Sequence, residues 1–247
     1  MNRGKIAFLI AFGIAAFVIG FVSLASAADM QRQMFGVSAQ INDNCSGTLV
    51  HSARDNKSGE VETYVLTAKH CVKAEDKLFN VNLPVYQKNR IVKIDSYAAT
   101  VYGKAYFADL ALLKLRDKQT WFEHVAKIGS ADAELAMGED VWTVGYPEGR
   151  SLTVTTGLFT SAETIDFPTD GQEYYRATPN IIGGNSGGAL FHLENGEYRL
   201  IGVTSARSVW SSWVAYYVPR EAIREYLSKA LPAAIAEPAP VVAGASK

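Results

Sequence analysis

The sequence predicts an all-β chain that closes with a helix. Short apolar or alternating runs recur along it, broken by clusters of Asn, Asp and Gly, the spacing of strands joined by turns. Asn195-Gly196 stands between two such runs, and Asn-Gly suits two-residue hairpins because both positions take φ > 0. Helical spacing arrives near the end, where Ile223, Tyr226 and Leu227 share one face behind Pro219, and Pro232 stops the run. Many short strands and one late helix define the class.

In chain order, residues 1–27 read as a targeting segment. Arg3 and Lys5 precede an uncharged stretch over residues 6–24, and Ala25-Ser26-Ala27 offers a small-residue cleavage site. The stretch is also long enough to cross a bilayer. Retained, it would be a membrane anchor with its positive end cytoplasmic; either way the remainder is exported, to the periplasm or beyond. Strand candidates follow at residues 48–51, 63–67, 81–86, 91–97 and 110–115. A connector then leads to further candidates at 140–145, 152–162, 174–177, 189–193, 200–205 and 213–218. The helix runs to about residue 231, and residues 232–247, rich in Ala, Pro and Val, read as a flexible tail. With 247 residues, 48% of them hydrophobic, the chain can bury one two-lobed core. Its formal net charge of -1, with no basic run beyond the N-terminus, gives nucleic-acid binding no electrostatic support.

Chemistry concentrates in Gly183-Gly184-Asn185-Ser186-Gly187-Gly188. Glycines permit tight backbone conformations and leave N–H groups free to converge on one point, which suits a serine nucleophile beside an oxyanion hole. Gly184-x-Ser186-x-Gly188 also fits the nucleophile elbow of α/β-hydrolases, whose triad runs Ser, Asp, His. Here the one histidine after Ser186 is His192, too near in sequence to return as a separate base. The usable order is His70, Asp109, Ser186: base, orienting carboxylate, nucleophile. His70 ends the apolar run Val65-Leu66-Thr67-Ala68-Lys69-His70-Cys71, and Asp109 opens Asp109-Leu110-Ala111-Leu112-Leu113-Lys114-Leu115.

These blocks, with Cys45-Ser46-Gly47-Thr48-Leu49-Val50, resemble the trypsin/chymotrypsin-like serine proteases in sequence order. Asn185 before the serine and Val141-Trp142-Thr143-Val144-Gly145-Tyr146-Pro147 are closer to bacterial HtrA-like peptidases, although no PDZ-sized extension follows. The resemblance implies two antiparallel six-stranded β-barrels with a C-terminal α-helix. Residues 34–135 would form the first barrel and connector, carrying His70 and Asp109, and residues 136–231 the second barrel and helix, carrying Ser186. It implies a serine endopeptidase with His70, Asp109 and Ser186 as triad, backbone N–H groups of Gly184 and Ser186 as oxyanion hole, and protein or peptide substrates. Both cysteines lie in the matching blocks, and export favours a Cys45–Cys71 disulfide, worth about 3–4 kcal/mol for a loop of about 27 residues.

The resemblance also places a specificity pocket. Asn180 and Ile181 would form a neutral, partly apolar floor, with Thr204, Ser205, Ala206 and Arg207 on the opposite wall and Tyr216 behind. Arg207 would repel a basic side chain, so a small or medium apolar residue is expected before the scissile bond, with an acidic residue next. Asn185 stands where digestive trypsins carry an aspartate that pairs with a newly freed amine, so activation of that kind is not expected. His51, His124 and His192 lack ligand spacing, and neither metal nor cofactor is expected. Trp210 and Trp213 read as core and rim aromatics. Two other functions use the same residues: a non-catalytic binding module on this scaffold, and a serine hydrolase acting on esters. Contact with a membrane depends on whether residues 6–24 are retained, and oligomeric state is not encoded in any motif.

Overall fold

The computed structural model describes residues 30–231, apart from 57, 74–76, 88–89, 166–171, 209 and 212. The targeting segment and the tail expected from sequence lie outside these. A π-helical turn over Gln31–Phe35 leads into β1 (Ser38–Ile41), β2 (Cys45–Arg54), β3 (Val61–Thr67), β4 (Phe79–Gln87), β5 (Arg90–Lys104) and β6 (Ala111–Leu115). The second half holds β7 (Asp140–Gly145), β8 (Thr153–Ile165), β9 (Gln172–Ala177), β10 (Ala189–Glu194), β11 (Glu197–Arg207), β12 (Ala215–Pro219) and α1 (Arg220–Ala230). The first six strands close into an antiparallel barrel in the order β1-β2-β3-β6-β5-β4, and the last six into another in the order β7-β8-β9-β12-β11-β10. The two halves therefore share one topology, shifted by six strands.

Local sequence explains much of this. Asn195 and Gly196 sit at φ 51° and 80°, both positive, in the two-residue turn joining β10 to β11. The apolar runs become β3 and β6, which pair from Tyr64↔Lys114 to Thr67↔Ala111. That pairing brings the ends carrying His70 and Asp109 side by side.

One strand has no sequence signal. In β1, Ser-Ala-Gln-Ile, every residue is buried although two are polar. Ser38 Oγ donates to Met34 O (2.7 Å) and Gln40 Nε2 to Gly149 O (2.7 Å), so the cost of burying them is met by partners outside the strand.

The larger apolar cluster runs from the first barrel, with Leu49, Leu66, Phe79 and Leu112, into Phe191, Leu200 and Val203 of the second and Ile223 and Leu227 of α1. A separate cluster, including Val141, Phe159, Ile181, Leu190, Ala215 and Tyr217, fills the second barrel. Pro219 caps α1 with extended backbone. The helix buries Ile223, Tyr226 and Leu227, at roughly 1.5–3 kcal/mol for each side chain fully removed from water. The connector is tied to both barrels: Ala126 N donates to Leu49 O (2.8 Å) and Gly129 N to Leu200 O (2.9 Å).

Candidate active site

After β3 the chain extends through Ala68 and tightens into a 3-10 turn over Lys69–Cys71, closed by Cys71 N to Ala68 O (3.1 Å). Lys69 Nζ donates to Ala105 O (3.1 Å), and Cys71 is disulfide-bonded to Cys45 at the start of β2. The turn is thus fixed on both sides of His70, whose own side chain remains 47% exposed.

Asp109 lies just before β6, in a loop closed by Ala105 N to Leu110 O (2.9 Å). Its carboxylate is buried and fully engaged. Oδ2 lies 2.7 Å from His70 Nδ1 and accepts from Ser205 Oγ (2.6 Å), while Oδ1 accepts from His70 N (3.0 Å). Burial alone would push this carboxyl up. The hydrogen bond and charge of His70, with the bonds from Ser205 and the His70 backbone, outweigh it and hold the group below the ordinary carboxylate range. The carboxylate also selects the imidazole tautomer: a proton on Nδ1 leaves Nε2 as the acceptor.

Ser186 sits in the loop between β9 and β10. Gly187 N donates to Thr204 O (2.8 Å) and Thr204 N to Gly188 O (2.8 Å), fastening the loop to β11. Ser46 N donates to Ser186 O (2.7 Å), and Cys71 Sγ lies 3.6 Å from the same oxygen. Ser46, next to Cys45, and Cys71 therefore meet at the carbonyl of Ser186. Gly187, at φ 81°, is required here: a β-carbon would overlap Thr67 Oγ1 and Ser46 O. Among the described residues no hydrogen bond joins Ser186 Oγ to His70, a contact that often tightens only with substrate in place.

The backbone N–H groups of Gly184 and Ser186 likewise make no hydrogen bond among the described residues. Gly184 takes φ 97°, and a β-carbon on it would overlap Tyr146 O. Glu148 N donates to Gly183 O (2.6 Å), which fixes the preceding peptide. Two unpaired donors beside a serine are the minimum equipment of an oxyanion hole. Asn185 is buried, and its Nδ2 donates within the loop to Ile182 O (3.2 Å). Being neutral, it requires no partner cation.

The predicted pocket residues separate. Asn180 is exposed and its carbonyl accepts from Thr155 Oγ1 (3.2 Å). Ile181 is enclosed in the second-barrel cluster beside Ala215 and Tyr217, whereas Tyr216, the residue expected from sequence, packs against the larger cluster. Strand alternation accounts for the difference, since adjacent residues face opposite ways. Thr204 is fully buried and acts through its backbone; Ala206 is half-buried and Arg207 exposed. Ser205, expected in the pocket wall, instead turns its hydroxyl to Asp109. Trp210 and Trp213 are 94% and 67% exposed, so neither belongs to the core.

Ser46, which the sequence marks as an ordinary strand residue, is bonded to the loop that carries Ser186. Fully buried, it donates from Oγ to Gly184 O (2.7 Å), accepts from Tyr146 N (2.8 Å), and offers its carbonyl to Thr67 Oγ1 (2.7 Å). Its one sequence signal was its place between Cys45 and Gly47 at the start of β2. Among the described residues no group of three or more His, Cys, Asp or Glu is placed to hold a metal ion.

The chain belongs to the trypsin family, whose model matches residues 25–218. It is 30% identical over 167 residues to the mitochondrial serine protease HTRA2 of Bos taurus, a match covering 64% of this chain and 35% of that protein. It is 32% identical over 153 residues to a probable periplasmic serine endoprotease, DegP-like, of Buchnera aphidicola, covering 62% and 29% respectively. The chain thus spans about a third of the length of these relatives. Among solved structures, Rv3671c from M. tuberculosis superposes with TM-score 0.59 at 19% identity, over 81% of this chain and 89% of that one. The HtrA-type protease AlgW, solved with a tripeptide, gives TM-score 0.63 at 21% identity, over 84% and 64%. Both share the fold.

Proposed function

We propose that the chain is an exported serine endopeptidase working through an acyl-enzyme. The observation that carries this reading is the buried Asp109 carboxylate, bonded to both the ring and the backbone of His70, beside the loop that presents Ser186 with two unpaired N–H donors. Ser186 Oγ attacks the scissile carbonyl carbon as His70 Nε2 takes its proton. The N–H groups of Gly184 and Ser186 receive the oxyanion, each such donor being worth about 3–4 kcal/mol. As the C–N bond breaks, His70 returns the proton to the leaving amine. Water, deprotonated by His70, then hydrolyses the ester. Asp109 stays ionised and stabilises the imidazolium.

Export is supported by the N-terminal segment, by the disulfide and by the relatives named as periplasmic. Among the described residues no helix is long and apolar enough to cross a membrane. Residues 1–27 are either removed after Ala27 or kept as an anchor.

Ser186→Ala should abolish both peptide hydrolysis and labelling by a serine-reactive fluorophosphonate, with the melting temperature kept. A triad member carries several orders of magnitude in rate, so near-wild-type turnover in that variant would sink the assignment. Neutral Asn180 and the enclosed Ile181 support cleavage after a small or medium apolar residue. A mixed peptide library reports this directly, and dominant cleavage after Arg or Lys would overturn it.

A further inference from the structure

Where β4 and β5 leave the first barrel they form a ribbon whose strands pair with each other. β4 meets β1 at Val81 and Asn82, and β5 meets β6 from Ala99 onward. The pairs Pro84↔Ile94, Val85↔Lys93 and Tyr86↔Ile91 lie beyond both. An isolated two-stranded ribbon is marginal in water without a surface to cover it.

The two arms differ. On the β4 arm Pro84 is buried, and the ring of Tyr86 lies 6.5 Å from that of Phe35. On the β5 arm Ile91, Val92 and Ile94 are 44%, 50% and 56% exposed, interleaved with exposed Arg90 and Lys93. One carboxylate, Asp95, bridges Lys93 (3.0 Å) across exposed surface, a pair of the kind that exchanges partners readily. The register also shifts between Val85 and Tyr86, a bulge that leaves Val92 without an opposite residue. A bulge and a lysine on an edge strand disfavour addition of another strand, so a second copy or an extended peptide is a poor occupant.

Position points to a different one. Phe35 ends the turn through which residues 1–29 join the body, so its contact with Tyr86 sets the ribbon at that junction. Residues 25–29 separate the uncharged stretch from Met30, and a chain that short reaches at most roughly 18 Å. A bilayer that holds residues 6–24 therefore lies within about that distance of Met30, at the end of the body where Phe35 meets the ribbon.

We propose that the β5 arm of this ribbon docks on an anionic bilayer surface. Ile91, Val92 and Ile94 enter the interface, and Arg90 and Lys93 meet the lipid phosphates. This goes beyond the proteolytic reading and does not depend on it. The test is hydrogen exchange of the full chain alone, with phosphatidylcholine vesicles, and with vesicles containing phosphatidylglycerol. The readout is local to residues 84–94, so it holds whether or not residues 6–24 also enter the lipid. Phosphatidylglycerol vesicles should slow exchange there, and phosphatidylcholine vesicles should do so far less. Arg90→Glu with Lys93→Glu should weaken this, by about fivefold per cation removed. Ile91→Ser, Val92→Ser and Ile94→Ser together should abolish it, while fluorophosphonate labelling and melting temperature stay at wild-type values. Equal exchange in all three conditions overturns the proposal, as does equal protection by both lipids. Protection that grows with protein concentration in the absence of lipid also overturns it, in favour of a second copy.

Discussion

Asp109 holds its place through hydrogen bonds from His70 Nδ1, His70 N and Ser205 Oγ, and each one also favours its ionised form. The consequence for stability has a definite sign. Because its folded pKa is depressed, ionised Asp109 contributes stability that is complete above the ordinary carboxylate range and is lost as pH falls through the folded value. Ser205→Ala removes one of these bonds and moves the folded value back up. The melting temperature of the variant should therefore fall below wild type most at neutral pH, and the gap should close only as pH drops beneath the ordinary carboxylate range, through the depressed folded value. A hydrogen bond to a charged group contributes roughly 1.5–3 kcal/mol, so turnover should also fall by about tenfold or more. A melting-temperature gap independent of pH would remove Ser205 from this role.

At the scale of elements, the site depends on short turns fastened from outside rather than on the strands themselves. The 3-10 turn over Lys69–Cys71 has no buried residue of its own. Its position comes from Cys45, Ala105 and Asp109. Reduction of the disulfide should lower stability by about 3–4 kcal/mol, seen as a lower melting temperature, and should reduce turnover in conditions where the fold persists, because Cys71 is bonded directly to His70. Intact-mass measurement after alkylation without reductant checks the starting point: two alkylated thiols in the protein would remove the basis for this expectation. The connector and α1 are fastened in the same manner, with buried Arg220 bridging Glu194 (3.2 Å) and Glu194 accepting from Ser130 N (3.0 Å).

At the scale of the molecule, His70 and Asp109 belong to one barrel and Ser186 to the other, so the relative placement of the barrels sets the geometry of the site. Ser46 bridges the barrels, as Gln40 and Ser205 also do. From the first barrel it bonds Gly184 and Tyr146 in the second, and its backbone bonds Ser186. Ser46→Ala leaves a buried carbonyl and a buried N–H without their partner, at about 1–3 kcal/mol each. The expected result is a folded protein whose kcat falls more than its KM rises, since the oxyanion donors move with Gly184. An unchanged kcat would show that the barrels are held without it.

The class, eleven of the twelve strands and the three candidate chemical groups were legible because each leaves a local mark; the two barrels followed from the family resemblance, and the order of their strands only from the structure. Strands alternate, Asn195-Gly196 turns, and a serine among glycines stands out from packing. β1 was not legible, because its buried Ser38 and Gln40 look polar until Met34 and Gly149 are seen to satisfy them. Nor was the duty of Ser205, whose hydroxyl reaches a residue 96 positions away, or that of Ser46, which bonds across 138. The sequence by itself determined which groups are available and on which strand ends they fall, since periodicity and turn chemistry act over a few residues. Which hydroxyls hold the carboxylate and the oxyanion loop, and which arm of a ribbon stays uncovered, only the tertiary structure decided: hydrogen bonds and burial between distant segments leave no period in the chain.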